Sequence, residues 1–343
     1  MHCLEAGEAG KPCVLLLHGF PELSYSWRKV MIPLAEAGFH VVAPDQRGYG
    51  LTTGWDGRYD GDLASYRMLN LVEDANGLLS KLKIKKAHIV GHDFGSPVAA
   101  YCALTRPDIF RSLVLMSAPF GGVQPAVSRA GADLHDELTG LGRKHYQWYY
   151  STREADGDMR NCPQGIHDFL RAYYHFKSAD WKGNRPFPLK GWIAAELAKM
   201  PTYYIMERDK NMAETVALEM PSRAAPWLTD EELSVYVDAF GKTGFQGGLQ
   251  WYRCATNPTF SGEITSKLAG KTIDVPACFI AGANDWGIHQ KPGELERMAG
   301  GACTNWRGTH LVTSAGHWVQ QEQPAAVSRL LVAFLRGLES AGE

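Results

Sequence analysis

The chain has 343 residues, which is enough for one large α/β domain with an insertion or for two modest domains. Its 35 basic and 37 acidic residues give a net charge of −2, so the charge offers no reason to expect nucleic acid or an anionic membrane as a partner. The longest apolar run near the start, at 14–17, is far too short for a signal segment or for a membrane span of roughly 20 residues. We therefore expect a soluble, cytoplasmic protein.

The seven cysteines are widely scattered along the chain, and no CxxC or Cys/His spacing typical of a metal site occurs. Reduced, structural thiols are the expected state, because disulfides are rare in the cytoplasm. The sequence therefore predicts neither a metal ion nor another cofactor.

Short apolar runs alternate with amphipathic stretches in the first third of the chain, and two further runs follow near its end. Runs that are apolar throughout are typical of parallel strands covered by helices on both faces. Buried strands are predicted at 13–19, 40–45, 87–92, 112–119, 276–282 and 309–316. Helices are predicted at 24–38, 67–82, 96–107 and 324–339. The predicted fold class is α/β, with a mostly parallel sheet.

The alternation stops between about 125 and 255, where aromatic residues, methionines and helix formers dominate and prolines recur. Thr229, followed three positions later by Glu232, has the pattern of a helix capping box. We predict a mostly helical cap, or lid, inserted between two parts of the core. The core is expected at 1–124 and 256–343, and the cap at 125–255.

Open parallel sheets bind ligands at the carboxyl ends of their strands, so the residues that follow the predicted strands are candidate site residues. Asp93 lies in the segment GHDFG, between the strand at 87–92 and the next helix. This G-x-nucleophile-x-G pattern exposes its middle residue on a sharp turn at the top of a sheet. The alternative interpretation is that Asp93 only caps the helix.

Two further candidates, Asp285 and His317, follow the last two predicted strands. A single histidine after a glycine is usually structural. However, the chain order Asp93, Asp285, His317 is the order nucleophile, acid, base of the α/β hydrolases. We therefore predict that these three residues form a catalytic triad.

The sequence resembles the α/β-hydrolase fold family, and within it the epoxide hydrolases, over roughly residues 12–338. The resembling segments are HGFPELSYSWR, DQRGYG, GHDFGS, GFQGGLQWYR, GANDW and AGHWVQQEQP. Several of these segments are shared with dehalogenases and esterases, but their combination is quite specific. Relatives usually have a further strand at the N-terminus, so we expect either a trimmed chain or a short first edge of the sheet.

The resemblance implies a role for each matching residue of the core. Asp93 is implied as the nucleophile, His317 as the base and Asp285 as the acid that orients it. The backbone N–H groups of Phe20 and Phe94 are implied as the oxyanion hole.

The resemblance also implies two tyrosines in the cap that activate the epoxide oxygen. Tyr252 in GFQGGLQWYR matches the second of them. Tyr146 in KHYQWYY matches the first, with Tyr149 and Tyr150 as neighbouring alternatives. Residues expected to line the substrate tunnel, with ordinary burial as the alternative for the tryptophans, are Pro21, Trp27, Trp148, Tyr150, Trp286 and Trp318. The segment 200–223 is interpreted either as part of the tunnel wall or as a homodimer contact.

The chemistry of epoxide opening is consistent with an aspartate at position 93. A carboxylate is already charged at neutral pH and can attack an sp³ carbon to form an alkyl-enzyme ester. An epoxide oxygen is a poor leaving group, and phenols can protonate it without being ionised themselves. The predicted function is therefore hydrolysis of a small hydrophobic epoxide by water to a vicinal diol.

Two other hydrolytic functions use related residues. A haloalkane or haloacid dehalogenase shares the Asp nucleophile, but it needs donors for the halide, and Phe94 stands where a tryptophan or arginine would supply one. An esterase or lactonase normally has Ser at position 93. A ligand-binding relative without activity would not need the base His317.

Overall fold

The apolar runs of the sequence become strands. We describe residues 1–124 and 133–340 of a computed structural model of the protein. In chain order, the strands are β1 (Cys3–Ala6), β2 (Cys13–Leu17), β3 (His40–Pro44), β4 (Ala87–His92), β5 (Phe110–Met116), β6 (Arg143–His145), β7 (Ile205–Glu207), β8 (Ala277–Gly282) and β9 (Trp306–Val312).

Seven of the strands within these described residues form one sheet, in the order β1-β3-β2-β4-β5-β8-β9. β1 pairs antiparallel with β3, and every other pair in this sheet is parallel. β2, β3, β4 and β8 are buried along their whole length. These strands read as unbroken apolar runs because side chains on both of their faces pack against the core.

Helices connect the strands and build the cap. They are α1 (Arg28–Glu36), α2 (Met68–Lys81), α3 (Gly95–Thr105), α4 (Leu134–Gly140), α5 (Tyr146–Tyr150), α6 (Glu154–Arg160), α7 (Gly165–Lys177), α8 (Ala194–Leu197), α9 (Met212–Ala217), α10 (Asp230–Thr243), α11 (Gln246–Thr256), α12 (Pro258–Leu268), α13 (Glu294–Arg297), α14 (Val319–Glu322) and α15 (Pro324–Glu339). In the described part of the chain, no helix has both the length and the apolar character that crossing a lipid bilayer requires.

The inserted helical cap is confirmed, and it also contains the short antiparallel pair β6–β7. The helix start predicted at Thr229 is confirmed as well. The Thr229 hydroxyl accepts from the Glu232 N–H, and the Glu232 carboxylate accepts from the Thr229 N–H. The boundaries 125 and 255 stay a prediction, and residues 125–132 lie outside the described residues.

Three elements differ from the sequence prediction. The strand expected at 309–316 is β9 at Trp306–Val312, and the prediction that it is buried is wrong. Within the described residues β9 is an edge strand. Its residues alternate between half-buried and exposed as far as the buried Val312, as expected when only one face of a strand is covered. The helix predicted at 24–38 begins with a 3₁₀ turn at Ser24–Trp27. The four-residue β1 edge was not among the predicted strands.

Candidate active site

The turn between β4 and α3 places Asp93 at the carboxyl end of the central strand. Asp93 has a backbone φ of 51°, a left-handed conformation that is rare for a residue with a side chain. The flanking glycines allow the turn to close. A Cβ atom at Gly95 would collide with the carbonyl oxygens of Leu17 and His18, and one at Gly91 would collide with the Gly95 carbonyl. The local sequence therefore packs this turn against β2 and presents the Asp93 carboxylate above the sheet.

His317 lies within hydrogen-bonding distance of both other predicted triad residues. His317 Nε2 is 3.1 Å from Asp93 Oδ2, and His317 Nδ1 is 3.1 Å from Asp285 Oδ1. The Gly287 N–H donates to Asp285 Oδ1 at 2.7 Å, which fixes that carboxylate. All three side chains are buried. The His317 imidazole is thus held between the carboxylates of Asp285 and Asp93.

The electrostatic surroundings keep Asp93 ionised. Burial alone would raise its pKa, but the hydrogen bond and charge of His317, together with the charges of Lys177 and His92, hold the pKa well below its usual range. The pKa of Asp285 is also lowered, because the contacts with His317 outweigh its burial. Asp93 is therefore available as a carboxylate nucleophile at any pH near neutrality.

Of the two predicted oxyanion residues, Phe20 has its backbone N–H in contact with the Asp93 carboxylate. The Phe20 N–H donates to Asp93 Oδ1 at 3.0 Å. Phe94 follows Asp93 directly, and its ring contacts the ring of Tyr252 at a centroid distance of 5.1 Å. Since the Phe20 N–H already binds a carboxylate oxygen, it is in position to bind the charge that develops on that oxygen.

A buried ion pair that the sequence analysis did not identify lies behind Asp93. His92 Nδ1 is 2.6 Å from Glu22 Oε2, and His92 Nε2 is 2.7 Å from the His317 carbonyl oxygen. Both partners of the ring are acceptors, so both ring nitrogens donate and His92 is a cation. Although burial opposes this charge, the Glu22 carboxylate raises the pKa of His92. Both residues stand inside the motifs HGFPE and GHDFG, which is the signal that could have revealed them.

Lys177 is a second charged group that the sequence analysis missed. Its ammonium lies 5.0 to 5.4 Å from the ring centroids of Tyr204, Trp318 and Tyr173. Burial lowers its pKa, while the carboxylate of Asp93 acts in the opposite direction. The Lys177 carbonyl oxygen accepts from the His317 N–H at 2.9 Å, so the end of α7 is joined to His317. No local pattern in the sequence marks this lysine as a site residue.

The cap contributes two phenols above Asp93. Tyr146 begins α5 and Tyr252 lies in α11, and their ring centroids are 5.9 Å apart. Gln147 Nε2 donates to the Tyr146 hydroxyl at 3.2 Å, and that hydroxyl donates to Gln290 Oε1 at 3.3 Å. Burial and the charge of Asp93 raise the pKa of both tyrosines well above 10. The phenols therefore stay protonated and can act as donors.

A cavity of about 700 Å³ joins these groups. Asp93, Phe94, Tyr146 and Tyr252 all lie in its wall. Further wall residues come from α12 and from the segment 118–124. The cavity is large enough for a drug-sized molecule. It places a carboxylate and two neutral phenols around the same space.

None of the six residues expected along the substrate tunnel lies in the wall of this cavity. Trp27 packs on the opposite face of the sheet, in the core cluster of α1 and α15. Trp318 donates to the Tyr174 carbonyl oxygen, and the Tyr150 hydroxyl donates to Tyr173. The remaining three, which also contribute no part of the wall, are Pro21, Trp148 and Trp286. The aromatic residues of the wall are instead Tyr66, Phe94, Tyr101, Phe120, Tyr146, Trp192, Trp251, Tyr252 and Phe260.

The neighbouring cap tyrosines point away from this space. The Tyr149 hydroxyl donates to Asp158 Oδ2 at 2.9 Å. Tyr150 is fully buried, and its hydroxyl donates to that of Tyr173 at 3.1 Å. Of the three adjacent candidates for the first cap tyrosine, Tyr146 is the one that lines the cavity.

Comparisons with known proteins agree with this architecture. Residues 12–324 match the family described as alpha/beta hydrolase fold. Epoxide hydrolase B of Mycobacterium tuberculosis (strain ATCC 25618 / H37Rv) is 35% identical over 95% of this chain and 92% of the relative. Epoxide hydrolase A of the same strain is 34% identical over 99% of this chain and 95% of the relative.

Solved structures show the same similarity in three dimensions. An epoxide hydrolase from an endophytic Streptomyces has a TM-score of 0.80 at 28% identity, over 99% of this chain and 92% of that chain. Epoxide hydrolase A from Mycobacterium thermoresistibile has a TM-score of 0.76 at 34% identity, over 98% of this chain and 94% of that chain. The similarity thus extends through both the sheet and the cap.

Proposed function

Because this chain belongs to the α/β-hydrolase fold family, and within it to the epoxide hydrolases, we propose that it hydrolyses epoxides to vicinal diols through an ester on Asp93. One observation carries this proposal. The Asp93 carboxylate and the phenols of Tyr146 and Tyr252 line the same cavity. An epoxide bound there would meet a nucleophile on one side and proton donors on the other.

In the first step, the Asp93 carboxylate attacks one carbon of the epoxide and the carbon–oxygen bond of the ring breaks. A cap tyrosine gives its proton to the departing oxygen, which becomes the hydroxyl of a hydroxyalkyl ester. Proton donation of this kind typically contributes ~10²–10⁴-fold in rate. The phenols are suited to it because their pKa values lie well above 10, so that they hold their protons until the ring opens.

In the second step, water hydrolyses the ester. His317, oriented by Asp285, takes a proton from the water, and the hydroxide attacks the carboxyl carbon of Asp93. The negative oxygen that develops is stabilised by the Phe20 N–H, and removal of one such donor typically costs ~10²–10³-fold. The second proton of that water passes to the departing diol oxygen as the carbon–oxygen bond of the ester breaks and the Asp93 carboxylate is restored. The proton taken by His317 returns to the phenolate, so that the enzyme is regenerated.

The geometry favours an epoxide over a halide as the leaving group. A halide requires N–H donors close to the nucleophile, and Phe94 offers none from its side chain. Trp251 also lies in the cavity wall, but its indole N–H donates to the Arg47 carbonyl oxygen at 3.0 Å. The paired phenols would have no function in a dehalogenase. An esterase mechanism would likewise leave them unused.

Covalent trapping tests this function. We expect purified protein to convert styrene oxide to its diol, and Asp93→Ala to abolish the conversion. In His317→Gln, the first step proceeds but the water is not activated, so intact-mass spectrometry should detect the protein plus one epoxide. His310→Gln, on the neighbouring strand β9, is the matched control and should turn over like the wild type. Diol formation that survives in Asp93→Ala, or His317→Gln without an adduct, would refute the mechanism.

A further inference from the structure

A buried carboxylate that has no role in the two chemical steps lies next to the base. Glu322 ends the short helix α14 and is 9% exposed. Its Oε2 atom accepts from the Gly316 N–H at 2.9 Å and from the Ala179 N–H at 2.8 Å. Its Oε1 atom accepts from the Trp318 N–H at 3.0 Å. One side chain therefore binds three backbone donors.

Two of these donors flank His317 on either side. The loop that carries the base has no strand to hold it, because β9 ends at Val312 and α14 begins only at Val319. With the N–H groups of Gly316 and Trp318 bound to one carboxylate, the path of the backbone through His317 is defined. A shift of about 1 Å in a catalytic group can cost about 10²-fold in rate. This contact therefore adds to those of Lys177, His92 and Asp285 in fixing the position of His317.

The third donor belongs to the cap. Ala179 follows α7, whose last residue, Lys177, accepts from the His317 N–H. Glu322 thus joins the loop of the base to the segment that ends α7, and it does so beside the hydrogen bond between His317 and Lys177. Two hydrogen-bonded contacts therefore connect the loop of His317 to this end of the cap.

Two effects oppose each other at Glu322, because burial favours the protonated carboxyl and the three N–H groups favour the ionised carboxylate. Three N–H groups converge on the carboxylate, whereas a protonated carboxyl would bring a fourth proton to the same space. Burial raises the pKa of Glu322 to about 8, and the three N–H groups act in the opposite direction.

We propose that Glu322 is a positioning residue for the water-activating base, which holds His317 in register with Asp93 and Asp285 through the N–H groups of Gly316 and Trp318. This inference rests on the two-step function proposed above. Attack of Asp93 on the epoxide does not use His317 as a base, whereas hydrolysis of the ester does. Loss of the contact should therefore slow the second step and spare the first.

Single-turnover kinetics of Glu322→Gln test this inference. If the amide oxygen faces Gly316 and Ala179, the amide nitrogen meets the Trp318 N–H, so one of the three contacts becomes repulsive. We expect decay of the alkyl-enzyme ester, followed by rapid quench and mass spectrometry, to slow by about 10–100-fold. Its formation should stay within about threefold of the wild type, since the Asp93 turn is unchanged. Gln323→Ala, which removes a neighbouring exposed contact to Ser314, is the control and should leave both steps unchanged.

The outcomes separate this inference from the proposed function. If His317→Gln forms no ester, the two-step mechanism fails whatever Glu322 does. If the ester forms and Glu322→Gln hydrolyses it at the wild-type rate, or if both steps slow equally, the positioning role is overturned. Should Glu322→Gln not fold, Glu322→Asp replaces it, because its shorter side chain withdraws the carboxylate from the loop. Ester decay is observed only in molecules folded well enough to be alkylated, so misfolded protein does not enter the rate.

Discussion

Tyr252 and Tyr146 differ in how their hydroxyl groups are engaged, although both line the cavity. The Tyr146 hydroxyl donates to Gln290 and accepts from Gln147. The Tyr252 hydroxyl has no such partner within residues 1–124 and 133–340. A phenol whose proton is not already engaged can give it to the epoxide without first breaking a hydrogen bond. The two tyrosines are therefore expected to be unequal donors.

We predict that Tyr252→Phe slows alkyl-enzyme formation by ~10²–10⁴-fold, the typical value of a general acid, and that Tyr146→Phe slows it less. The rate of ester formation in single-turnover experiments measures both effects. Tyr149→Phe is the control, since its hydroxyl donates to Asp158 away from the cavity. A larger loss in Tyr146→Phe than in Tyr252→Phe would show that the contact with Gln290 prepares the donor instead of restraining it.

At the scale of the element, the turn from β4 into α3 depends on close backbone packing. Gly95 lies where a side chain would meet the carbonyl oxygens of Leu17 and His18 in β2 and just after it. Gly77, in the middle of α2, is exposed and has nothing within 4 Å of its added Cβ position. The same substitution should therefore have opposite effects at the two sites.

Gly95→Ala is expected to destabilise the protein by about 1–3 kcal/mol, the usual cost of overpacking, and to impair ester formation because the Asp93 turn must shift. Gly77→Ala is expected to stabilise it by about 0.5–1 kcal/mol, since alanine loses less backbone freedom in a helix. Urea unfolding of both variants measures these changes. A Gly95→Ala variant as stable as the wild type would mean that the turn can relax and that its tight packing does not define the elbow.

The elements differ in how far the sequence could predict them. Buried strands such as β2 and β4 are predictable because burial on both faces requires apolar residues throughout. The edge strand β9 was misplaced because a half-exposed strand lacks that run. The turn that carries Asp93, after β4, was predictable because such a turn needs glycines at fixed spacing.

The site residues that could be predicted are those that stand in recognisable positions after the predicted strands. The order of Asp93, Asp285 and His317 could be read from the chain, and the structure brings these residues together. The pairing of Glu22 with His92 joins residues 70 positions apart, so it could be inferred only by relating the motifs HGFPE and GHDFG to each other, and not from either motif alone. Which aromatic residues face the cavity depends on how the cap helices pack against the core. For this reason the six expected tunnel residues stay a prediction, although none of them lies in the wall of this cavity.

At the scale of the whole molecule, the cap is joined to the core by contacts on several sides. Glu232 of α10 pairs with Arg28 of α1 at 3.0 Å and with Lys29 at 3.0 Å. The Tyr174 hydroxyl of α7 donates to the Pro21 carbonyl oxygen at 2.8 Å. One continuous apolar cluster also contains residues of both the sheet and the cap. These contacts make independent unfolding of the cap unfavourable, since it would expose a face of the core.

We therefore predict a single cooperative thermal transition, with a calorimetric enthalpy equal to the van't Hoff enthalpy. Glu232→Gln keeps a residue suited to the capping box but removes the charge that Arg28 and Lys29 bind. It should lower Tm by only about 1–3 °C, because partly exposed ion pairs contribute about 1 kcal/mol or less, and it should leave one transition. Two resolved transitions would mean that the cap separates while the sheet remains folded. In that case Tyr146 and Tyr252 would leave Asp93 before the core unfolds, and thermal inactivation of ester formation would precede the main loss of structure.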